Sequence, residues 1–337
     1  MSGLVSGSWR SGFLTRRPDP TWRFERRTNR LQIYLPIADM PVNIFLVLGM
    51  GLAVGFISGM FGIGGGFLMT PLLIFIGVSP AVVVASVSPQ IAASLFTGFL
   101  THWRRGTIDF ALGAMLLSGG VLGTLGGVWL FTMLRSVDQL DLMISLAYVT
   151  LLGIVGILMV TESLRAVIRA GQGKPADLRH PGSHTWIHGL PLKMRFKRSR
   201  IYISVIPVWA IGAIIGFVGA VLGIGGGFML VPMMIYLLRV PTATVIGTSM
   251  VLTLVTMISA TILHATANHL VDAVLALILM VGGVIGAQFG ARTGQKMRGE
   301  RLRLLLGLLV LAVGLRFAIG LVVQPDDLYS LRFVGAG

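Results

Sequence analysis

The residues best placed to do chemistry in this sequence are uncharged. The stretch "GIGGGF" occupies 62–67 and returns at 223–228, each copy inside a long apolar run. Glycine is the weakest helix former after proline, so three in a row predict a break. The half-helix restarting near Phe67, and again near Phe228, then turns free N–H groups and the positive end of its dipole toward that break. This is the chemistry of an anion site, and the missing Cβ lets an anion reach the main chain. Hydroxyl and amide groups recur in the segments that follow: Ser86, Ser88 and Gln90 in "ASVSPQIAAS", and Thr248, Ser249 and Thr253 in "GTSMVLTLVT". They can donate to oxyanion oxygens without adding a fixed charge, although such side chains in membrane helices often bond only to their own backbone.

Other chemistries find less support. There are no cysteines, which excludes disulfides, thiolate zinc sites and thiol nucleophiles. His180, His184 and His188 have helical spacing, but Pro181 and Gly182 break any helix between them and no carboxylate completes a metal site. Asp109 and Asp272 stand where helices begin and suit N-caps. His102, His264 and His269 fall at expected helix ends, where they suit interfacial positions or proton sensing, and Arg316 interrupts "LLLGLLVLAVGLRFAIGLVV". No Gly-Lys-Ser/Thr follows either glycine triplet, which rules out a nucleotide loop. No paired carboxylates, histidine cluster or nucleophile triad appears at membrane depth, so neither catalytic residues nor a cofactor are expected.

Whatever positions these groups is a membrane scaffold. Of 337 residues, 55% are hydrophobic and only 12% charged, about half the charge of a soluble domain. The mean hydropathy is +0.87. Apolar segments run at 42–61, 66–78, 80–101, 108–134 and 140–164, then at 202–222, 227–238, 241–263, 270–291 and 302–323. Most reach the roughly 20 residues a spanning helix needs; 66–78 and 227–238 are short and read as half-helices. The net charge of +15 sits in "RRPDPTWRFERRTNR" (16–30), "KMRFKRSR" (193–200) and "RTGQKMRGERLR" (292–303). These basic loops suit anionic lipid rather than nucleic acid.

The chain also repeats itself. Residues 55–80 and 216–241 agree at eleven of twenty-six positions, and "GGVLGTLGG" (119–127) echoes "GGVIGAQFG" (282–290). The series Gly51/Gly55/Gly59, Gly119/Gly123/Gly127 and Gly282/Gly286/Gly290 have the spacing that packs membrane helices together. The expected architecture is all-α and polytopic, with two homologous repeats of about four transmembrane helices, each carrying a broken or re-entrant half-helix at its GIGGG motif. The expected organisation is a cytoplasmic basic tail (1–41), a first repeat (42–164), a basic hydrophilic linker (165–201), a second repeat (202–323) and a C-terminal tail (324–337). The positive-inside rule favours the tail and the linker on the same, cytoplasmic side.

The motifs "GMFGIGGGFLMTPLL" and "AVLGIGGGFMLVPMM", with "HWRRGTIDF" (102–110) and "GGVIGAQFGARTG" (282–294), resemble the TauE/SafE sulfite exporter family over roughly residues 42–323. The resemblance implies a multi-pass transporter of the bacterial inner membrane that exports a small sulfur oxyanion or organosulfonate such as sulfite or sulfoacetate. Carried over by motif, the binding elements are Gly64, Gly65 and Gly66 with Gly225, Gly226 and Gly227, extended by Ser86, Ser88, Gln90, Thr248 and Ser249. The expected partners are a small anionic substrate and the lipid bilayer, with proton or sodium as candidate coupling ion and a homodimer as candidate assembly. A passive anion channel is the alternative, and a membrane-embedded enzyme a more distant one.

Overall fold

Apolar runs with no interior charge close into helices, because only internal hydrogen bonds can satisfy a backbone surrounded by hydrocarbon. The computed structural model describes residues 32–104, 106, 108–171, 191–196, 201–236, 242–294 and 299–322. In the first half, β1 (Gln32–Leu35) and β2 (Met40–Asn43) precede α1 (Ile44–Phe61), α2 (Gly66–Phe75), α3 (Pro80–Arg104), α4 (Phe110–Ser136) and α5 (Leu140–Gly171). In the second, β3 (Lys193–Phe196) and β4 (Ile201–Ser204) precede α6 (Val205–Leu222), α7 (Gly227–Tyr236), α8 (Thr242–Leu263), α9 (Ala273–Gly294) and α10 (Gly299–Val322). A π-helical turn, His264–Asn268, extends α8. Starting positions correspond at one constant offset: 32 with 193, 40 with 201, 44 with 205 and 66 with 227.

Among the described residues, seven stretches are long and apolar enough to cross a membrane: α1, α3, α4, Leu140–Thr161, α6, Val245–Asn268 and α9. Large apolar side chains such as Trp129, Leu142, Ile154 and Leu315 face outward, as contact with lipid requires. The helix ends are capped locally. Asn43 accepts from the N–H groups of Phe45 and Leu46, and Ser204 from Ile206. Asp109 accepts from Leu112, and Asp272 from Val274 and Leu275.

Two features depart from an all-α chain with one long polar linker. Each half opens with a two-stranded antiparallel hairpin, Gln32 pairing with Asn43 and Lys193 with Ser204. Strands of four residues, with Leu35 and Ile203 turned inward, are too short to show a period in sequence. The linker interval also contains the last turns of α5 and strand β3. His180, His184 and His188 lie outside the described residues, as do 1–31 and 323–337.

The most extensive helix contacts join one half to the other: α1 with α9, α4 with α6, α5 with α10, and α3 with α8. Glycine sets how close they come. A Cβ built on Gly55 would lie 2.3 Å from Gly283 O, on Gly59 2.1 Å from Ala287 O, and on Gly123 2.0 Å from Ala213 O. In hydrocarbon such backbone-to-backbone packing, rather than apolar burial, holds helices together.

The contact registers give directions. Gly51, Gly55 and Gly59 meet Gly282, Gly283 and Ala287 in ascending order, so α1 and α9 run parallel. Gly119, Gly123 and Gly127 meet Trp209, Ala213 and Phe217, so α4 and α6 also run parallel. Ser86 meets Asp272, and Gln90 and Ser94 meet Gly283, which aligns α3 with α9. Gly113 and Gly120 meet Thr248 and Leu252, which aligns α4 with α8. Gly156 meets Leu311 and Gly307 meets Met159, so α5 and α10 are antiparallel. Because α4 returns after α3, α1, α3 and α9 run one way and α4, α6 and α8 the other. The chain therefore enters α1 and leaves α5 at opposite ends of the bundle. Placing both flanking basic segments on one side does not fit these directions: α2 turns back after α1 and adds a passage that hydropathy alone leaves uncounted.

Two outcomes are expected. In this cysteine-free chain, Pro36→Cys and Ser136→Cys will react with an impermeant maleimide from one membrane face and Thr293→Cys from the other. Gly123→Ala will lower the midpoint of thermal unfolding, at about 1–3 kcal/mol for overpacking, whereas Gly153→Ala, with nothing within 4 Å of the added carbon, will not.

Candidate functional site

The two glycine triplets fall where one helix ends and the next begins. Gly62 closes α1 at φ 69° and donates its N–H to Ser58 O at 2.7 Å. Gly223 closes α6 at φ 64° and donates to Gly219 O at 2.9 Å. Between the helices, Gly64, Gly65, Gly225 and Gly226 take φ values of 93°, 73°, 78° and 61°, the left-handed region that side-chain-bearing residues avoid. The first N–H groups of α2 to find helical partners are those of Leu68 and Met69, both on Gly65 O. The donors before them point into the break, as at any helix N-terminus.

The two breaks cross one another in the interior. A Cβ on Gly66 would stand 2.5 Å from Gly223 O and 2.8 Å from Ile224 O, and one on Gly227 would stand 2.7 Å from Ile63 O. Phe67 and Phe228, the next residue in each half-helix, stack with ring centroids 5.4 Å apart. Ile91 of α3 packs against Gly64, Gly66 and Gly225 together. The carbonyl ends of the crossing are partly covered. Tyr148 OH donates to Leu222 O at 2.7 Å, Thr70 Oγ1 to Gly223 O at 3.3 Å, and His264 Nε2 lies 3.2 Å from Ala220 O. Two positive helix ends thus meet in the middle of the bundle, while carbonyls of the preceding helix are bound by side chains.

The polar residues singled out from sequence divide into occupied and unoccupied groups. Ser86 Oγ accepts from Asp272 N–H at 2.9 Å, at the base of α9 and away from the breaks. Ser88 donates to Val84 O and Ser249 to Ile246 O, each within its own helix. Gln90 donates to Ser94 Oγ at 3.2 Å, but its Oε1 is buried without a partner. A Cβ on Gly283 would come within 2.6 Å of Gln90 Nε2, so that glycine makes room for the amide. Thr248 Oγ1 is also buried without a partner, with its methyl toward Gly113 of α4. Thr253 Oγ1 shares that condition, and its methyl lies beside Gly225. Of these groups, Thr253 is the one against a glycine break; Gln90 and Thr248 face α9 and α4.

An orphaned buried hydroxyl or amide oxygen costs about 1–3 kcal/mol and calls for an explanation. Among the described residues three such atoms, on Gln90, Thr248 and Thr253, lie on α3 and α8, the helices that follow the two half-helices. Thr70 and Tyr148, which pin the second break, escape a reading by motif. A lone threonine in an apolar half-helix and a lone tyrosine in mid-span were the available signals. Asp109 and Asp272 serve as caps, and Asp272 Oδ2 also accepts from the N–H of Ile37 at 2.9 Å. Arg316 is exposed, its guanidinium 4.8 Å above the Phe75 ring. Among the described residues no cluster suited to a metal occurs.

Removing the donor to Leu222 O is expected to cost stability. Tyr148→Phe should lose about 1–3 kcal/mol in chemical or thermal unfolding, whereas Thr248→Val, which breaks no hydrogen bond, should lose nothing.

Known proteins bear on this arrangement. The family profile described as "Sulfite exporter TauE/SafE" matches residues 47–317. A probable membrane transporter protein of Xylella fastidiosa (strain 9a5c) is 31% identical over 283 residues, covering 81% of this chain and 94% of the relative. The probable membrane transporter proteins YunE and YjnA of Bacillus subtilis (strain 168) are 24% and 26% identical, covering 81% and 82% of this chain and 96% and 99% of theirs. No solved structure matches the chain. The chain belongs to the sulfite exporter TauE/SafE family of membrane transporters.

Proposed function

We propose that this protein is a secondary transporter of the bacterial inner membrane that exports a small sulfur oxyanion or organosulfonate, such as sulfite or sulfoacetate. The anion is held where the two glycine breaks cross, between the N-termini of α2 and α7. The observation that carries this reading is Thr253: its hydroxyl is buried with no protein partner, and its methyl lies beside Gly225, next to two converging helix N-termini. Partial positive charge at two helix ends attracts an anion, glycine brings it to the main chain, and the orphaned hydroxyl supplies a donor. Sulfite offers three oxygens to such donors and asks for no cationic side chain.

The recurrence of elements and their opposed directions support a duplicated, inverted pair of repeats, the arrangement in which transporters place substrate at the repeat interface. No nucleotide loop is present in the sequence, so gradients supply the energy. An inside-negative potential drives an anion outward by about 2.3 kcal/mol per charge per 100 mV. The basic segments at 165–201 and 292–303 adjoin the ends of α5 and α9, which lie on one face. The positive-inside rule makes that face cytoplasmic, and the N-terminal segment then enters from the other side.

Purified protein in liposomes should move radiolabelled sulfite with saturation. Thr253→Val, which keeps the shape of the side chain, should raise the half-saturating concentration about tenfold, the value of one hydrogen bond to a charged group, without lowering thermal stability. Sulfite flux unaffected by this change would sink the site, and flux that rises linearly with sulfite would favour a channel.

A further inference from the structure

The second glycine break is tied to an ionisable group that the anion site does not use. His264 is fully buried at the start of the π-helical turn His264–Asn268, a rare helix form that frequently marks functional sites. Its Nε2 faces Ala220 O at 3.2 Å; a carbonyl only accepts, so Nε2 carries a proton. Its Nδ1 lies 3.1 Å from Asn268 Nδ2. Asn268 Oδ1 in turn lies 2.9 Å from Thr132 Oγ1, which is also 2.9 Å from Val128 O. Asn268 is buried, whereas Thr132 is exposed, so the chain of groups leads from the surface to His264.

This network is complete in either charge state. With neutral His264, Asn268 Nδ2 donates to Nδ1 and Thr132 donates to Asn268 Oδ1. When Nδ1 takes up a proton, a half-turn of the Asn268 amide presents Oδ1 to Nδ1–H. Nδ2 then donates to Thr132, whose hydroxyl donates to Val128 O. Each of these pairs sets a donor against an acceptor in either arrangement, so a proton can be bound without breaking the links between them.

The neighbouring charges are few. From α4, Arg135 donates to Asn268 O at 3.0 Å; α6 and α8 carry no titratable residue. His269 is exposed at the end of the turn. The carboxylate of Asp272 is engaged by the N–H groups of Ile37, Val274 and Leu275. Tyr148, from α5, donates to Leu222 O. The protonated ring would face the carbonyl end of α6, where positive charge is favoured, two residues before Leu222, the last residue of that helix. At the same offset the first half carries Trp103, which takes up no proton, so this control is confined to one break.

We propose that His264 is a proton-binding site for transport, its protonation tightening the bond to Ala220 O and holding the second glycine break in the crossed arrangement. This rests on the transport reading and names the proton as coupling ion. The test uses full-length protein in phosphatidylethanolamine/phosphatidylglycerol nanodiscs, with amide exchange corrected for its intrinsic pH dependence. In the wild type, the peptide covering 222–228 should exchange roughly threefold or more slower at about pH 5 than at pH 8, a span in which histidine titrates; the peptide covering 61–67 should not change. His264→Gln should abolish the pH dependence. Arg135→Gln, which removes a nearby positive charge, should move the midpoint to higher pH. Wild-type pH dependence retained in His264→Gln, or a midpoint unmoved in Arg135→Gln, overturns the proposal. Sulfite flux in liposomes is measured separately. Its absence with the pH response intact overturns only the transport reading, and its presence without that response overturns only the proton site.

Discussion

A backbone inside a bilayer must have its N–H and C=O groups satisfied by the protein, and this chain breaks two helices in the interior. Everything else in the structure answers that requirement. Gly62 and Gly223 cap the two broken helices, and Tyr148, Thr70 and His264 bind carbonyls at the end of the second, α6. The amino ends are left facing each other where Gly66 and Gly227 press against the opposite loop. On the transport reading proposed above, the positive ends of the two helix dipoles would favour an anion over a cation at the crossing.

The rest of the fold holds those breaks in contact. Each half contributes a glycine-lined helix pair to the other, α1 against α9 and α4 against α6, so neither half encloses its own break. Backbone approaches this close admit no side chain, and they fix the two halves in one register. Around this frame α5 and α10 pack antiparallel, with Tyr148 stacked on Phe317 at 5.3 Å, so the residue that pins the second break is itself held by the outer helices. Thr253 and Gln90, on helices adjoining the breaks, keep unbonded polar atoms in this arrangement, whereas Ser88 and Ser249 do not.

Much of the scaffold was legible in the sequence because hydropathy and length are sufficient in a membrane. The apolar intervals correspond to helices, and the Gly-x-x-x-Gly series lie at helix contacts, since only glycine permits those approaches. The hairpins were not legible, because strands of four residues carry no usable period. Helix direction was hidden as well. Charge bias favoured both basic segments on one side, but contact order between α1 and α9 and between α3 and α9 sets the passage count, and no local pattern encodes it. Within the candidate site the triplets were visible as composition, whereas the state of each hydroxyl was not. Ser88 and Thr253 look alike in sequence, yet the hydroxyl of one turns back to Val84 O and that of the other has no partner, its methyl lying beside Gly225.

The central claim is that both glycine breaks grip one oxyanion. Selenite, an isostere of sulfite with a strong anomalous signal, tests it in crystals of the wild-type protein. A single selenium peak in contact with the main chain of both 64–66 and 225–227 is the predicted result. A well-occupied peak elsewhere, with none at the crossing, would contradict it.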